Sequence, residues 1–332
     1  MKESIMDYLA QIKVGRKQSY KNLAMFPLLS AYSANLEYLL LDEALAEGLL
    51  DVVEIDKDGS VPDIKVINKS PRMVLILDGE ELVGAKQNRV VNTTILVQAN
   101  STLVIPVSCV EEGRWSYHGP RFSTQERMMS PGLRAMKADQ VNYSIRSFGR
   151  FRSNQAAIWE EISEKAGRRE AESPSMAMSS IYEKDMPFIN EYVRHFRAID
   201  GQVGAVFMIN GRVVGMDSLG RFETFSKVFK KLLQSYALDA VDWSEPENGH
   251  KALRSEVTKF LKASASARIE SHRSVGLGTD CRLESKNITG FALVHRNTII
   301  HLSLFARDDQ GNGESHTSGM RRFTQRRRNR VY

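Results

Sequence analysis

Short apolar runs separated by turn sequences fill residues 52–109, and this alternation constrains the fold more than any other feature of the chain. The runs cover residues 52–55, 64–67, 73–77, 93–97 and 103–107. Asp58-Gly59 and Asn100-Ser101 turn sequences, and no helical segment, lie between them. Strands joined in this way pair with opposite directions, so the sequence predicts an antiparallel, sandwich-like sheet in the N-terminal half.

The second half of the chain combines helical periodicity with hairpin signals. Residues 222–240 place apolar side chains at helical spacing, which predicts a long helix with a buried face. Asn210-Gly211 and Arg296-Asn297 each lie between apolar runs and predict two hairpins. Helix and strand signals that occur in runs, without strict alternation, favour an α+β fold. We therefore expect one α+β unit over residues 1–305, β-rich at 50–117 and helix-rich with hairpins at 134–305.

Three further segments carry weaker patterns. Residues 32–50 have leucines at helical spacing before Gly48, which predicts a helix. The polar composition of residues 118–142 indicates a loop that lies over a site. Residues 167–180, rich in Ser, Glu and Arg, are typical of a mobile linker.

Positive charge is concentrated at the C-terminus. The chain has 332 residues and a formal net charge of +6. Removing the arginines of the last twelve residues leaves the rest of the chain neutral, because there are six of them and no acid among them. We expect residues 306–332 to form a disordered, Arg-rich tail. Any contact with nucleic acid or an acidic protein would then come through that tail.

Membrane, disulfide, metal and cofactor roles find no support in the sequence. No apolar run approaches the roughly 18 residues that a membrane span needs, so we expect no membrane contact and a cytoplasmic location. Cys109 and Cys281 are isolated and are predicted to be buried thiols. His295 and His301 flank one hairpin, but two imidazoles without a third ligand do not predict a metal site. No phosphate-loop motif is present, and we predict no cofactor.

The densest polar cluster of the chain directly follows the apolar run 73–77. Gly79 and Gly84 lie within it and permit close approach of the backbone to another group. Such a cluster is typical of a loop that binds a polar ligand, with cations for an anion and an acid for a hydroxyl or for general-base work. A solvated turn whose charges pair with each other is the alternative. The candidate catalytic residues are Glu80, Glu81 and Lys86, and the candidate binding residues are Gly84, Gln87, Asn88 and Arg89.

A second polar element lies at the end of the last predicted strand. Glu111, Glu112 and Arg114 are candidates for the opposite wall of the same pocket, and they are equally interpretable as strand-end charges. Trp115 is a candidate for stacking on a base or a nicotinamide ring, or for filling the core. A separate basic and aromatic stretch, residues 146–152, suits an anion or RNA, or a plain surface strand.

Three motifs together resemble a known bacterial family. They are residues 84–89 (Gly-Ala-Lys-Gln-Asn-Arg), residues 111–115 (Glu-Glu-Gly-Arg-Trp) and the hairpin and helix from Gly204 through residues 235–239. The resemblance is to the ARG and rhodanese-phosphatase-superfamily-associated domain, and it covers about residues 20–305. It implies a role near NAD-derived or ADP-ribose metabolites, and it supplies no catalytic residues.

Two functions remain open from the sequence. The first is binding or processing of a small phosphate- or ribose-bearing metabolite by residues 80–89, with catalysis left undecided. The second is a non-catalytic protein-interaction module whose Arg-rich tail recruits acidic partners or nucleic acid.

Overall fold

A computed structural model of the chain describes residues 2–244 and 251–307. None of the described helices is both long and apolar enough to cross a membrane. The helices are α1 (Lys2–Gln11), α2 (Leu41–Ala46), α3 (Pro131–Phe148), α4 (Gln155–Arg169), α5 (Met178–Val193), α6 (Phe222–Asp242) and α7 (Arg254–Ala265). The strands are β1 (Lys13–Val14), β2 (Gln18–Tyr20), β3 (Leu23–Leu29), β4 (Tyr38–Leu40), β5 (Leu50–Val53), β6 (Asp63–Asn68), β7 (Met73–Ile76), β8 (Glu80–Gly84), β9 (Arg89–Val91), β10 (Ile95–Val97), β11 (Ser101–Cys109), β12 (Phe122–Met128), β13 (Gln202–Ile209), β14 (Arg212–Leu219), β15 (Arg268–Arg273), β16 (Thr279–Ser285), β17 (Ile288–His295) and β18 (Thr298–Ala306).

A nine-stranded sheet joins the two ends of the chain. Its order is β1-β3-β13-β14-β18-β17-β16-β15, with β2 also paired to β3. The N-terminal β3 lies beside β13, where Phe26 is the partner of Val206. Asn210 and Gly211 have φ values of 48° and 74°, as the tight turn between β13 and β14 requires. Both predicted hairpins are therefore confirmed, and they form the centre of one large sheet.

The predicted N-terminal sandwich consists of two smaller sheets. Strands β12-β8-β9-β11-β6-β5 form a six-stranded sheet, and β10-β7-β4 form a three-stranded one. Apolar side chains of both sheets share one buried cluster, which includes Val74, Ile95, Ile64 and Ile105. All these pairs are antiparallel except β4 with β7, which run parallel. The antiparallel expectation for residues 52–109 is confirmed, and the α+β class with it.

Helix α6 packs between these layers. It contacts α5, β12, β13 and β14, and its apolar side chains, among them Phe225 and Leu232, are fully buried. The central sheet is covered on the opposite face by α1 and α7, through Ile5, Tyr8 and Val257. The sequence prediction of a long buried helix from residue 222 is confirmed.

Several local predictions were wrong. The segment 32–50 contains strand β4 and only the short helix α2, because Leu39 and Leu40 pair with β7. The expected loop over residues 118–142 contains β12 and most of α3. The expected linker 167–180 is shorter than predicted, since α4 ends at Arg169 and α5 begins at Met178, which leaves residues 170–177 between the two helices. Strands β15 and β16 were not predicted. The predicted disordered tail, residues 306–332, begins too early, because Ala306 ends β18 and Arg307 pairs with Asp139 and Glu284; residues 308–332 lie outside the described residues.

Candidate functional site

The loop between β8 and β9 is buried, and it is not a solvated turn. Lys86, Gln87 and Asn88 are 8%, 3% and 5% exposed, and Arg89 is fully buried. Gly84 has a φ of 119°, and a Cβ at this position would lie 2.9 Å from the carbonyl oxygen of Arg121. Glycine is therefore required where the loop leaves β8.

Glu111 and Arg114 hold this loop from the opposite side. The carboxylate of Glu111 accepts the backbone N–H of Asn88 at 3.0 Å and the Arg114 Nη2 at 2.7 Å. Arg114 also donates to the carbonyl oxygen of Ala85 at 2.8 Å. Burial acts to raise the pKa of Glu111, but hydrogen bonds from Arg114 and Ser175 outweigh it and lower that pKa. The ionised carboxylate is thus a fixed anchor of the loop.

Arg89 is a buried cation without an anionic partner in the described chain. Its Nη1 donates to Gln87 Oε1 at 3.0 Å and to the Asn88 carbonyl oxygen at 3.4 Å. Its Nε and Nη2 have no acceptor among the described residues. Burial lowers the pKa of the guanidinium, yet arginine stays charged in proteins. An unpaired buried charge costs several kcal/mol, so this arrangement needs a compensating group.

The surroundings of Arg89 are polar on one side and aromatic on the other. Cys109 Sγ lies 3.1 Å from Gln87 Oε1, and burial raises the pKa of this thiol. Glu54 Oε2 is also buried without a donor. The centroid of the Trp115 ring lies 5.8 Å from Arg89 Cζ and 5.1 Å from Lys86 Nζ. Trp115, 48% exposed, therefore lies between the buried cation and the surface.

The structure separates the predicted site residues into two groups. The residues around Arg89 meet as expected: Gly84, Lys86, Gln87, Asn88, Arg89, Glu111, Arg114 and Trp115. Glu80 and Glu81 do not join them. Leu82 is the cross-strand partner of Arg89 and Val90 is that of Glu81, so Glu81 points to the other face of the sheet. Glu112 is exposed to solvent.

Glu80 and Glu81 differ in their partners. Glu80 forms an ion pair with Lys231 and accepts the backbone N–H of Leu77 at 2.7 Å. Neither carboxylate oxygen of Glu81 has a partner among the described residues, although the side chain is fully buried. Burial raises the pKa of Glu81 to about 7. This carboxyl group can therefore hold a proton near neutral pH.

Sequence reasoning missed a buried charge network between α3 and the central sheet. Arg134 donates to both oxygens of Asp217, at 2.7 and 3.0 Å, and to Asp78 at 3.1 Å. Lys137 pairs with Asp78 at 2.5 Å. The only signal in the sequence was the pair of basic residues three positions apart, Arg134 and Lys137, within a segment that we expected to be a loop. Such residues lie on one face of a helix.

Asp217 also accepts hydrogen bonds from two other elements. Tyr236 Oη on α6 donates to it at 3.0 Å, and His301 Nε2 lies 3.3 Å away. The other ring nitrogen of His301 is 2.7 Å from Thr94 Oγ1. Burial acts to raise the pKa of Asp217, but Arg134 and His301 outweigh it and lower that pKa strongly. Among residues 2–244 and 251–307, no three His, Cys, Asp or Glu side chains are grouped as a metal site requires.

These features define an α+β protein with a buried cationic cluster at the start of β9, in the six-stranded sheet. The chain belongs to the family described as the ARG and Rhodanese-Phosphatase-superfamily-associated Protein domain, whose model matches residues 11–305. The suspected resemblance is thus confirmed, with a slightly earlier start. Comparison with curated proteins and with solved structures gave no match to the chain.

Proposed function

We propose that the protein binds a small phosphate-bearing metabolite at Arg89. The observation that supports this proposal is the buried guanidinium whose Nε and Nη2 have no acceptor among the described residues. Two oxygens of a phosphate or carboxylate group accept two parallel hydrogen bonds from a guanidinium, one from each of two nitrogens. Such a ligand would supply the missing negative charge.

The neighbours of Arg89 fit a ligand that also carries hydroxyl groups. Glu54 Oε2 lacks a donor, and a sugar hydroxyl provides one. Gln87 holds the guanidinium in place through its Oε1, which accepts from Arg89 at 3.0 Å. A ribose phosphate combines both requirements. ADP-ribose is included because the family resemblance implies NAD-derived or ADP-ribose metabolites.

Entry to the site requires displacement of the residues that cover it. Arg89 is fully buried, and Trp115 and Lys86 lie between it and solvent. Lys86 Nζ is held at 2.5 Å by the carbonyl oxygen of Asp58 and lies 5.2 Å from the Tyr117 ring centroid. The covering rings of Trp115 and Tyr117 are each 48% exposed, and a cation–π contact contributes only about 0.5–2 kcal/mol. Pairing the buried guanidinium with an anion would offset the cost of displacing this cover.

Thermal unfolding with inorganic phosphate, ribose 5-phosphate and ADP-ribose tests this proposal. A ligand at a hundred times its Kd adds about 2.7 kcal/mol to the stability of the folded state. We expect at least one of these ligands to raise the Tm of the wild type and not of Arg89→Met. The matched control is Arg121→Met, which removes an arginine that pairs with Asp51 on the surface and should retain the shift. Equal shifts in Arg89→Met and the wild type would refute the assignment.

A further inference from the structure

A cleft lies between the end of α3 and the start of α4, formed by residues that do not contribute to the Arg89 cluster. Its volume is about 800 Å³. The lining is mainly Tyr143, Phe148, Arg150 and Arg152 together with polar residues 153–154. Tyr143 and Phe148 are 64% and 68% exposed. Large aromatic side chains are seldom left so open without a partner to cover them.

The two rings are arranged as a pair on one wall. Their centroids are 6.3 Å apart and their planes are inclined by 78°. A flat ring placed on the face of one would meet the edge of the other, and both contacts are favourable for aromatic systems. Glycine at residue 149, with a φ of 66°, ends α3 directly after Phe148 and directs the chain toward Arg150.

The charges around the cleft leave one arginine free. Asp139 is paired with Arg307, and Arg152 donates to Asp63 at 2.6 Å. Arg146, on the same helix turn as the rings, pairs with Glu284 at 2.6 Å. Arg150 is exposed and forms no ion pair or side-chain hydrogen bond within residues 2–244 and 251–307. The cleft therefore offers two aromatic faces and one unpaired guanidinium next to each other.

We propose that this cleft binds a nucleotide, with the base on Tyr143 and Phe148 and the phosphate at Arg150. Stacking on aromatic side chains is tolerant of base identity, and arginine adds both charge and cation–π contact. The same chemistry is offered by a free mononucleotide and by one nucleotide of a single strand. The site is independent of the Arg89 proposal, because no residue is shared between the two.

Titration calorimetry with AMP, adenosine, inorganic phosphate and a short single-stranded oligoadenylate tests the proposal on the full chain. We expect AMP to bind to the wild type. Phe148→Ser and Tyr143→Ser should each lower the affinity for AMP roughly tenfold or more. Arg150→Gln should lower the affinity for AMP and leave the affinity for adenosine unchanged, because adenosine has no phosphate. Because all three side chains are exposed, these variants are expected to fold normally.

Two control variants distinguish this cleft from other surfaces. Phe188→Ser removes an aromatic ring that is 50% exposed on α5 and should leave AMP binding unchanged. Arg89→Met removes any AMP binding at Arg89 and should retain wild-type affinity for AMP at this cleft, so it separates the two proposals. An oligoadenylate that binds much more tightly than AMP, and that loses this affinity in Tyr143→Ser and Phe148→Ser, identifies a single strand as the source of the ligand; tighter binding that survives both substitutions belongs to the Arg-rich tail, and equal affinity of oligoadenylate and AMP identifies the free nucleotide. Absence of binding for both, or AMP binding unaffected by Tyr143→Ser and Phe148→Ser, would overturn the proposal.

Discussion

Arg134 and Arg89 are both completely buried, but their surroundings are opposite in kind. Arg134 has two carboxylates, a bidentate contact to Asp217 and a hydroxyl from Ser303 at 3.0 Å. Arg89 has one amide oxygen and one carbonyl oxygen, and two of its nitrogens have no acceptor in the described chain. Burial acts against the charged form of both guanidiniums. Only the positive charge of Arg134 is compensated by carboxylates of the described chain.

This difference teaches how a buried charge is to be interpreted. Removing a buried charge whose partners are complete leaves those partners unpaired in a low-dielectric interior. The folded state is therefore destabilised by the removal. A charge whose partners are incomplete lowers stability by itself, which makes it a candidate for binding a partner from outside. The predictions below test this distinction on four side chains.

The largest effect is expected for Arg134→Met. Asp78 and Asp217 would lose their guanidinium partner while remaining buried, so we expect unfolding free energy to fall by about 3–5 kcal/mol. Urea denaturation measures this loss. Arg121→Met, on the surface, is the control and should change stability by less than about 1 kcal/mol. A loss for Arg134→Met as small as that of the control would contradict a structural role for the network.

Glu81→Gln extends the comparison to acids and to pH. The pKa of Glu81 is raised from 4.5 to about 7, so the folded state retains a proton that the unfolded state releases. Stability of the wild type therefore falls as pH rises from 4.5 to about 7, by an amount on the order of 3 kcal/mol. Glu81→Gln should remove most of this slope and be the more stable protein at about pH 8. Burial raises the pKa of Glu80 as well, so Glu80 contributes the remaining slope.

The neighbouring Glu80→Gln is the matched control, because Glu80 is paired with Lys231. It should destabilise the protein by about 1–3 kcal/mol at neutral pH, since the buried ammonium loses one of its two carboxylates. Urea denaturation of the wild type, Glu81→Gln and Glu80→Gln at pH values between 4.5 and 8 gives the pH dependence of the unfolding free energy of each protein. A wild-type slope that persists in Glu81→Gln would assign the proton to another group.

Arg89→Met should change the unfolding free energy in the opposite direction from Arg134→Met. Replacing an unpaired buried charge by an apolar side chain of similar length should raise the unfolding free energy by about 1 kcal/mol. Phosphate-dependent stabilisation should disappear in the same variant. Denaturation with and without phosphate measures both changes. A loss of stability comparable to that of Arg134→Met would mean that Arg89 is also structurally paired.

The smallest effect is expected for Lys86→Met. Lys86 contacts the rings of Trp115 and Tyr117 and the carbonyl oxygen of Asp58 at the surface of the site. We expect a stability loss of about 0.5–1 kcal/mol and faster access to the covered guanidinium. Stopped-flow tryptophan fluorescence on mixing with ligand measures that access. An unchanged association rate would argue against displacement of this cover.

Prediction from sequence succeeded where the signal was local. The turn at residues 210–211 and the helix that begins at Phe222 were identified correctly, because a few adjacent residues decide them. It failed for β4, where leucines at helical spacing instead pair with Val74 and Leu75 of β7. Strand pairing over such a distance overrides local helical preference.

The candidate site was predicted in part for the same reason. Burial of the loop from Lys86 to Arg89 and its contact with Glu111 and Arg114 agree with the expected convergence. Assigning Glu81 to it was wrong, because neighbouring residues of a strand point to opposite faces and the register with β9 sets which face is which. The buried position of Arg134 was not predicted, because the polar composition of residues 118–142 indicated a loop where the structure has a buried helix.

The sequence by itself determined the local elements and the chemical content of the molecule: the strand runs, the hairpin turns, the long apolar helix and the polar cluster after residue 79. The tertiary structure alone decided which charges have partners. Asp78 and Asp217 are separated from Arg134 by 56 and 83 residues. They meet it only because α3 packs against the central sheet, which carries Asp217 on β14, and lies beside the turn between β7 and β8, which carries Asp78. No such packing brings a carboxylate of the described chain into ion-pair contact with Arg89. Coulomb attraction acts over a few ångströms in space and carries no information about distance along the chain.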